Sequence, residues 1–339
     1  MKICHLQFAI GNWCALLSSF IIVFAYSLDL ILGDPQWFPH PVRLMGKLIS
    51  GLQAPLRKVS SSPSWLRFAG VLLAAISCGA AYLGTTLLIH WATGLSWVAG
   101  MACSALLAYT ALATRDLQVE TQKVLRALEG EDLPRARREL SYLVGRDTAR
   151  LEEPEILRAL VETVAENISD GVIAPLFFLA LGGPAWAMTY KAINTLDSMV
   201  GYKDEKFRHI GWASARLDDA ANFLPARLSG FLIALSSSIL GGPGKDSLRI
   251  LLRDHARHPS PNSAWPEAAM AGALGVQLGG WNYYFGQPSQ KPFIGDRKRD
   301  LERKDVKDAW KILYLSSFLM LLLALAMSWF LEGFFKFAI

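Results

Sequence analysis

Charge is scarce in this chain. Asp, Glu, Lys and Arg make up 19% of its 339 residues while 52% are hydrophobic, against about 25% charged in a soluble domain. So apolar a composition excludes intrinsic disorder, and the lack of a fixed period excludes collagen-like and repeat architectures. There are four cysteines, Cys4, Cys14, Cys78 and Cys103, without C-x-x-C spacing. Neither a disulfide frame nor a zinc site is expected, and the three in apolar runs read as packing residues. No GxGxxG, HExxH or GxSxG occurs, and the run from Gly241 to Asp246 has neither the first Walker glycine nor the Ser or Thr after its lysine. The net charge of +5 is not concentrated among stacking aromatics, so nucleic acid is not an expected partner.

Charge is also unevenly spread. Residues 68–114 contain no Asp, Glu, Lys or Arg, and a crossing of the bilayer needs about 20 apolar residues. That stretch predicts two transmembrane helices, 68–90 and 94–114, joined by a tight turn around Trp91, Thr93 and Gly94. Two more are expected at 13–32 and 312–331. A signal peptide is the alternative for the first, but no small-x-small cleavage pattern follows it. Runs 171–190 and 228–244 are interrupted or ended by Gly-Gly-Pro and read as crossing or re-entrant. The Lys/Arg-rich segment 34–67 is expected on the cytoplasmic side, as are 115–170 and 245–311, which read as helical and loop segments. The predicted fold is a single all-α, polytopic membrane domain over 1–339, with its N-terminus outside.

Five polar clusters abut these apolar runs, where an unpaired polar group is costly. In the first, three prolines hold Asp34, His40 and Arg43 in a loop after Asp29. An interfacial turn anchored by Trp37 and Phe38 is the plainer reading. In the second, Glu162, Glu166 and Asp170 recur every four residues beside Asn167, which predicts three carboxylates on one helix face. Such a stack needs a cation or a basic partner, and oxygen ligands suit Mg2+; a solvated acidic face is the alternative. The third sets Lys191, Asn194 and Asp197/Ser198 on one face, suited to phosphate and metal, or to a simple Lys–Asp pair. The fourth holds Arg216, Asp218, Asp219 and Asn222, either a metal–phosphate set or a capped surface helix. The fifth runs from His258 through Asn262, Trp265 and Glu267 to an aromatic loop with Trp281, Tyr283 and Tyr284; its histidine also reads as a turn residue. Together they point to phosphate chemistry with a large or hydrophobic substrate, facing the cytoplasm.

Stretches 28–44, 162–203, 216–225 and 258–286 resemble the adenosylcobinamide-phosphate synthase (CbiB/CobD) family of cobalamin biosynthesis. The resemblance rests on Glu-Thr-Val-Ala-Glu-Asn-x-Ser-Asp-Gly from Glu162 and Lys-Ala-x-Asn-Thr-Leu-Asp-Ser-Met from Lys191. It implies an ATP-dependent amide ligase of the bacterial cytoplasmic membrane. The enzyme would join (R)-1-amino-2-propanol O-2-phosphate, or free aminopropanol, to the free propionate of adenosylcobyric acid, through an acyl phosphate. ATP, Mg2+ and a corrinoid are then the expected ligands, and the bilayer, a second copy or other late cobalamin-pathway enzymes the expected partners. For such a reaction Glu166, Asp170, Asp197 and Asp218 or Asp219 are expected to hold Mg2+, and Lys191 to stabilise the transferred phosphoryl. Arg43 and His40, beside Asp34, are expected on the aminopropanol phosphate or corrin amides, with Arg216, His258 and Glu267 also binding substrate. Asn167, Asn194, Asn222 and Asn262 would orient oxygens, and Trp265 and Tyr283 would lie over the corrin.

Two rivals share parts of this pattern. A Mg-dependent prenyl or alcohol phosphotransferase has comparable Asp-rich helices but binds a lipid pyrophosphate. A non-catalytic membrane sensor similar to the AmpE family needs no carboxylate cluster.

Overall fold

The computed structural model describes residues 2–35, 40–201, 207–284 and 286–338, with side chains among these from residue 17 to 331. The proposed Trp37–Phe38 anchor lies outside them. The elements in chain order are α1 (Lys2–Leu32), α2 (Pro41–Val59), α3 (Pro63–Leu95), α4 (Trp97–Tyr109), α5 (Thr114–Glu129), α6 (Leu133–Ser141) and α7 (Glu153–Ile168). A π-turn (Ser169–Ile173) leads into α8 (Ala174–Val200). There follow α9 (Trp212–Ala221), α10 (Phe223–Ile239), α11 (Gly244–Asp254), α12 (Ala264–Leu274), the hairpin β1 (Leu278–Tyr284) and β2 (Gln287–Ile294), and α13 (Arg303–Ala338). Four stretches are long and apolar enough to cross a membrane: Pro63–Leu95, Trp97–Glu129, Glu153–Val200 and Arg303–Leu331. The chain is thus a helical, polytopic membrane protein. Leu17–Leu32 and Phe223–Ile239 are shorter apolar helices; the second, at 17 residues, spans about 25 Å, short of roughly 30 Å of hydrocarbon.

The chain divides into two compact units. The first contains α1–α4, α8, α9 and the end of α13. Here α3 packs on α2, α4, α8 and α9, with Ile49, Leu73, Ala74, Leu196 and Val200 as one core cluster. The other side of α3 presents Phe68, Leu72, Ile76, Leu83, Leu87 and Trp91, mostly at four-residue spacing. That stripe suits lipid and would be an aggregation face in water. Hydroxyls along these helices bond back to their own backbone, Thr86 to the Tyr82 carbonyl at 2.9 Å and Thr93 to Ile89 at 2.8 Å, as hydrocarbon requires. The turn expected around Trp91, Thr93 and Gly94 falls instead at Ser96. Helix α3 continues through Leu95, and the Ser96 hydroxyl caps α4 by accepting from the Ala99 N–H. The break in 171–190 is at the Gly-Gly-Pro: Gly182 and Gly183 leave helical geometry, Gly183 with φ 71°, and Pro184 has no N–H to rejoin the ladder.

The second unit contains α5–α7, the π-turn, α10–α12, the hairpin and the start of α13. On α5 the periodic Leu117, Val124, Leu125 and Leu128 are buried, as helical spacing demands. Asp132 caps α6 through the Arg135 N–H, and Glu152 and Glu155 form a capping box at the start of α7. The indole of Trp310 on α13 donates to the Thr121 hydroxyl on α5 at 2.9 Å. The aromatic segment read as a loop is an antiparallel hairpin, with Trp281 opposite Gln290 and Tyr283 opposite Pro288. Gly279 sits at its bulge with φ 83°, where a Cβ would fall 2.3 Å from the Pro292 carbonyl oxygen, so only glycine fits.

Candidate active site

In the first unit, the chain leaving α1 turns at Gly33, whose carbonyl accepts the Tyr109 hydroxyl. It then presents Asp34. One carboxylate oxygen of Asp34 lies 3.9 Å from His40 Nε2 and 3.8 Å from Arg43 Nη2. His40 is the N-cap of α2, its Nδ1 accepting the Val42 N–H at 3.3 Å. Burial lowers its pKa, and the cations of Arg43 and Lys191 push the same way against Asp34. The imidazole is therefore neutral at neutral pH, an N–H donor at Nε2. The structure thus brings Asp34, His40, Arg43 and Lys191 of α8 into one electrostatic neighbourhood.

Further along α8, the Thr195 hydroxyl donates to the Lys191 carbonyl at 2.6 Å and Ser198 to Asn194 at 2.8 Å. These hydroxyls serve the helix, while the Asp197 carboxylate folds over the helix end. A Cβ at Gly201 would lie 1.9 Å from its Oδ1. On α9, Arg216 is exposed and 3.7 Å from Asp219, and Asp218 has one buried carboxylate oxygen.

The second unit answers the question raised by the three stacked acids. Glu162 is buried, and its partners are basic. Arg146 pairs with it, the Gly279 N–H donates to Oε1 at 2.8 Å, and Arg158 Nε lies 3.9 Å away. Both guanidiniums also donate to the Asn282 side-chain oxygen, Arg158 at 3.1 Å, and Arg158 donates to the Gly279 and Trp281 carbonyls. One turn on, Glu166 accepts the Ser263 hydroxyl at 3.3 Å, and Asn167 bonds back to the Thr163 carbonyl. Asp170 lies in the π-turn. There the backbone passes from the i→i+4 to the i→i+5 pattern.

Glu267, near the start of α12, is 2% exposed, and its pKa is pushed up to about 8. Burial is the largest cause, opposed by Lys291 and Arg146 and reinforced by Glu162 and Glu166. Burial alone would depress Lys291 on β2, but the carboxylates of Glu267, Glu166 and Glu162 outweigh it and hold the ammonium above its ordinary value. His258 accepts the Ser260 N–H through Nδ1 at 3.0 Å, the turn role that was its plainer reading. Asn262 is buried just before α12, and Asn222 is buried just before α10. The Trp265 ring is already covered by protein: His255 at 4.5 Å and Phe231 at 6.3 Å between centroids, and the Arg227 guanidinium at 4.7 Å. Trp281 and Tyr283, by contrast, are exposed.

Sequence reasoning missed Arg146, Arg158, Asn282 and Lys291. The one local signal was the acidic stack itself, which required a basic partner without saying which. Among the described residues, no group of three or more His, Cys, Asp or Glu could by itself hold a metal ion.

Comparison with known proteins agrees with the motifs. The family model described as CobD/Cbib protein matches residues 22–313. The chain is 50% identical over 308 residues to the cobalamin biosynthesis protein CobD of Geobacter metallireducens, covering 91% of this chain and 96% of the relative. It is 47% identical over 309 residues to the protein of the same name from Klebsiella pneumoniae, covering 91% and 97%. To the cobalamin biosynthesis protein CbiB of Salmonella typhimurium it is 47% identical over 302 residues, covering 89% and 95%. No solved structure matches. With a family match across most of its length and near-full-length relatives at about half identity, this chain belongs to the CobD/CbiB family.

Proposed function

We propose that the chain acts in cobalamin biosynthesis as a membrane-bound, ATP-dependent amide ligase. It would join (R)-1-amino-2-propanol O-2-phosphate, or free aminopropanol, to the free propionate of adenosylcobyric acid, giving adenosylcobinamide phosphate or adenosylcobinamide. The observation that carries this reading is the near-full-length similarity to proteins named for cobalamin biosynthesis. The polar groups along both units supply chemistry that suits it. A seat in the bacterial cytoplasmic membrane, with the nucleotide-using groups toward the cytoplasm, goes with the same reading, as do a second copy or late-pathway enzymes as partners.

A carboxylate is a poor electrophile and needs activation. Its oxygen attacks the γ-phosphorus of ATP, the bond to the β–γ bridging oxygen breaks, and ADP leaves. The amine nitrogen then attacks the acyl carbon, the carbon–oxygen bond to phosphate breaks, and the ammonium proton is released. Bound Mg2+ would neutralise triphosphate charge. Mg2+ commonly takes one or two protein carboxylates and completes its shell with phosphate oxygens and water. Glu166 fits such a role: it is half-buried with a single weak hydroxyl donor on one oxygen. Asp170 in the same unit is a further candidate ligand beside it; within the first unit, Asp197 and Asp218 are candidates by themselves.

Lys191 would hold negative charge on the transferred phosphoryl, with Asn194 and Asp219 orienting the reacting groups. Arg43 would bind the aminopropanol phosphate. Neutral His40 adds a hydrogen bond there rather than a charge, and the Val42 N–H donated to its Nδ1 sets its tautomer. Arg216, Asn167, Asn222, His258 and Asn262 are assigned to substrate contacts and the exposed Tyr283 to the corrinoid, whereas Trp265, covered by His255, Phe231 and Arg227, and the buried Glu267 serve the packing of the unit.

The test is ligation by detergent-purified protein given adenosylcobyric acid, aminopropanol phosphate, Mg2+ and ATP, followed by mass spectrometry. Corrinoid amide formed with stoichiometric ADP is expected. Asp197→Asn and Asp218→Asn should each slow ligation about 10–100-fold at low Mg2+, and full activity in both would remove the metal assignment. Absence of corrinoid product from folded protein, with turnover of a lipid pyrophosphate, would replace the ligase by a phosphotransferase.

A further inference from the structure

A cavity of about 860 Å³ opens within the second unit, between the segment from Arg146 to Leu151, Glu155 on the first turn of α7, and the tip of the hairpin at Tyr283 and Gly286. Its walls are tied in place. The Asp147 N–H donates to the Tyr283 carbonyl at 2.8 Å, and the Gly286 N–H donates to Asp147 Oδ2 at 2.7 Å. Arg146 is fixed from behind by Glu162 and Asn282. A ligand entering here meets a surface that needs little ordering on binding.

The lining says which ligand. Two guanidiniums, Arg146 and Arg150, are balanced by two carboxylates, Asp147 and Glu155. A triphosphate would gain from the first pair and be repelled by the second, so a polyanion is a poor occupant. A ligand bearing many neutral amides needs both donors and acceptors and little net charge, and this wall offers both, with the Thr148 and Ser141 hydroxyls beside them. The hairpin adds a second feature. Strand alternation turns buried Asn282 inward and leaves Trp281 and Tyr283 on the opposite face, 55% and 49% exposed. Two residues along a strand cover about 7 Å, so a planar macrocycle wider than one nucleobase can lie across both rings.

We propose that this cavity and the Trp281–Tyr283 face together bind the amide-bearing rim of a corrinoid, with Arg150, Thr148 and Glu155 as specificity residues. The proposal rests on the ligase reading and gives its largest substrate a place within one unit. The stacking face holds the ring, and the neutral, mixed wall reads the pattern of carboxamides. ATP would bind elsewhere.

The experiment compares wild type with Ala149→Trp, which fills the cavity from an exposed position, and with Tyr283→Ala. Equilibrium dialysis with adenosylcobyric acid gives corrinoid affinity, and steady-state ligation gives KM for corrinoid and ATP separately. Both variants should weaken corrinoid binding about tenfold while KM for ATP stays within about twofold, a split that general loss of structure would not produce. If Ala149→Trp does not accumulate, Arg150→Gln at an exposed guanidinium takes its place with the same expectation. A rise in KM for ATP alone would give the cavity to the nucleotide and overturn the proposal, as would unchanged binding of both. Wild-type protein that neither binds adenosylcobyric acid nor ligates it would instead remove the ligase reading on which the proposal stands.

Discussion

In the first unit, α3 meets its surroundings with Phe68, Leu83, Leu87 and Trp91, and its exposed hydroxyls bond inward to their own helix. In the second unit α10 has a similar apolar face, with Phe231, Leu235 and Ile239 exposed, but around α11, the hairpin and the start of α13 the surroundings are met with ion pairs. Asp254 is buried yet holds its charge: burial opposes ionisation, but Arg253, the Gly295 N–H and Arg257 lower its pKa on balance. Arg299 pairs with buried Asp305 and also donates to the Leu274 carbonyl, and Arg303 pairs with Glu153 at 2.6 Å. The difference follows from solvent. Hydrocarbon offers no partner to a polar group, so a lipid-facing helix satisfies its own. Water makes charged side chains affordable at the surface and lets a few be drawn inside as caged pairs. The pair with both members buried is Glu162 with Arg146, next to the resemblance-bearing residues Glu166 and Asn167.

The largest effect that sharpens this contrast is expected at that cage. Glu162→Ala leaves Arg146 buried without its carboxylate and should cost about 3–5 kcal/mol of stability, read as a fall in melting temperature in detergent. Glu162→Leu combined with Arg146→Met should recover part of the loss. An unchanged melting temperature in Glu162→Ala would mean that the cage is solvated.

A somewhat smaller effect separates the two surfaces. Leu87→Arg, on the exposed apolar side of α3, should cost about 2.5–3.5 kcal/mol of insertion free energy, seen as a reduced membrane-inserted fraction. Val119→Arg, at a position on the charged, amphipathic α5 that is 37% exposed against 65% for Leu87, should be nearly silent in the same assay. Equal effects would erase the distinction between the two surfaces.

The third effect appears only as pH is changed, at Glu267. Its folded pKa of about 8 lies above an ordinary value of 4.5, so between those limits the unfolded chain releases a proton that the folded one keeps. Stability must therefore fall as pH rises through that window. Glu267→Gln should flatten the decline, melting higher than wild type at pH 8 and not at pH 5. Parallel pH curves for the two proteins would contradict the buried, neutral carboxyl.

Much of the fold was legible because its signals are local. The uncharged run 68–114 could hardly be soluble, and Gly182, Gly183 and Pro184 each disfavour a helix for a separate reason. The turn was misplaced by a few residues because Thr93 and Gly94 are tolerated inside a helix, whereas the capping hydroxyl belongs to Ser96. The hairpin escaped because its alternation is masked by a buried polar residue: Asn282 faces inward only because Arg146 and Arg158 are there to receive it. For the candidate site, four-residue spacings showed which residues share a helix face. They could not show that Glu162 is caged by Arg146, or that Arg146 reaches Asn282, 136 positions further along the chain. Nor could they show the π-turn that carries Asp170. Lys291 carried no signal at all, since its significance lies in three carboxylates from two other helices.

The central claim, ligation through an acyl phosphate, is tested most directly by following oxygen. Adenosylcobyric acid carrying heavy oxygen in its free carboxylate is incubated with the purified protein, aminopropanol phosphate, Mg2+ and ATP, and the released phosphate is weighed by mass spectrometry. One labelled oxygen per amide formed should appear in inorganic phosphate, because the carboxylate oxygen that attacked phosphorus leaves with it. Label recovered in AMP would contradict the acyl phosphate, and no corrinoid amide from folded protein would contradict the ligase itself.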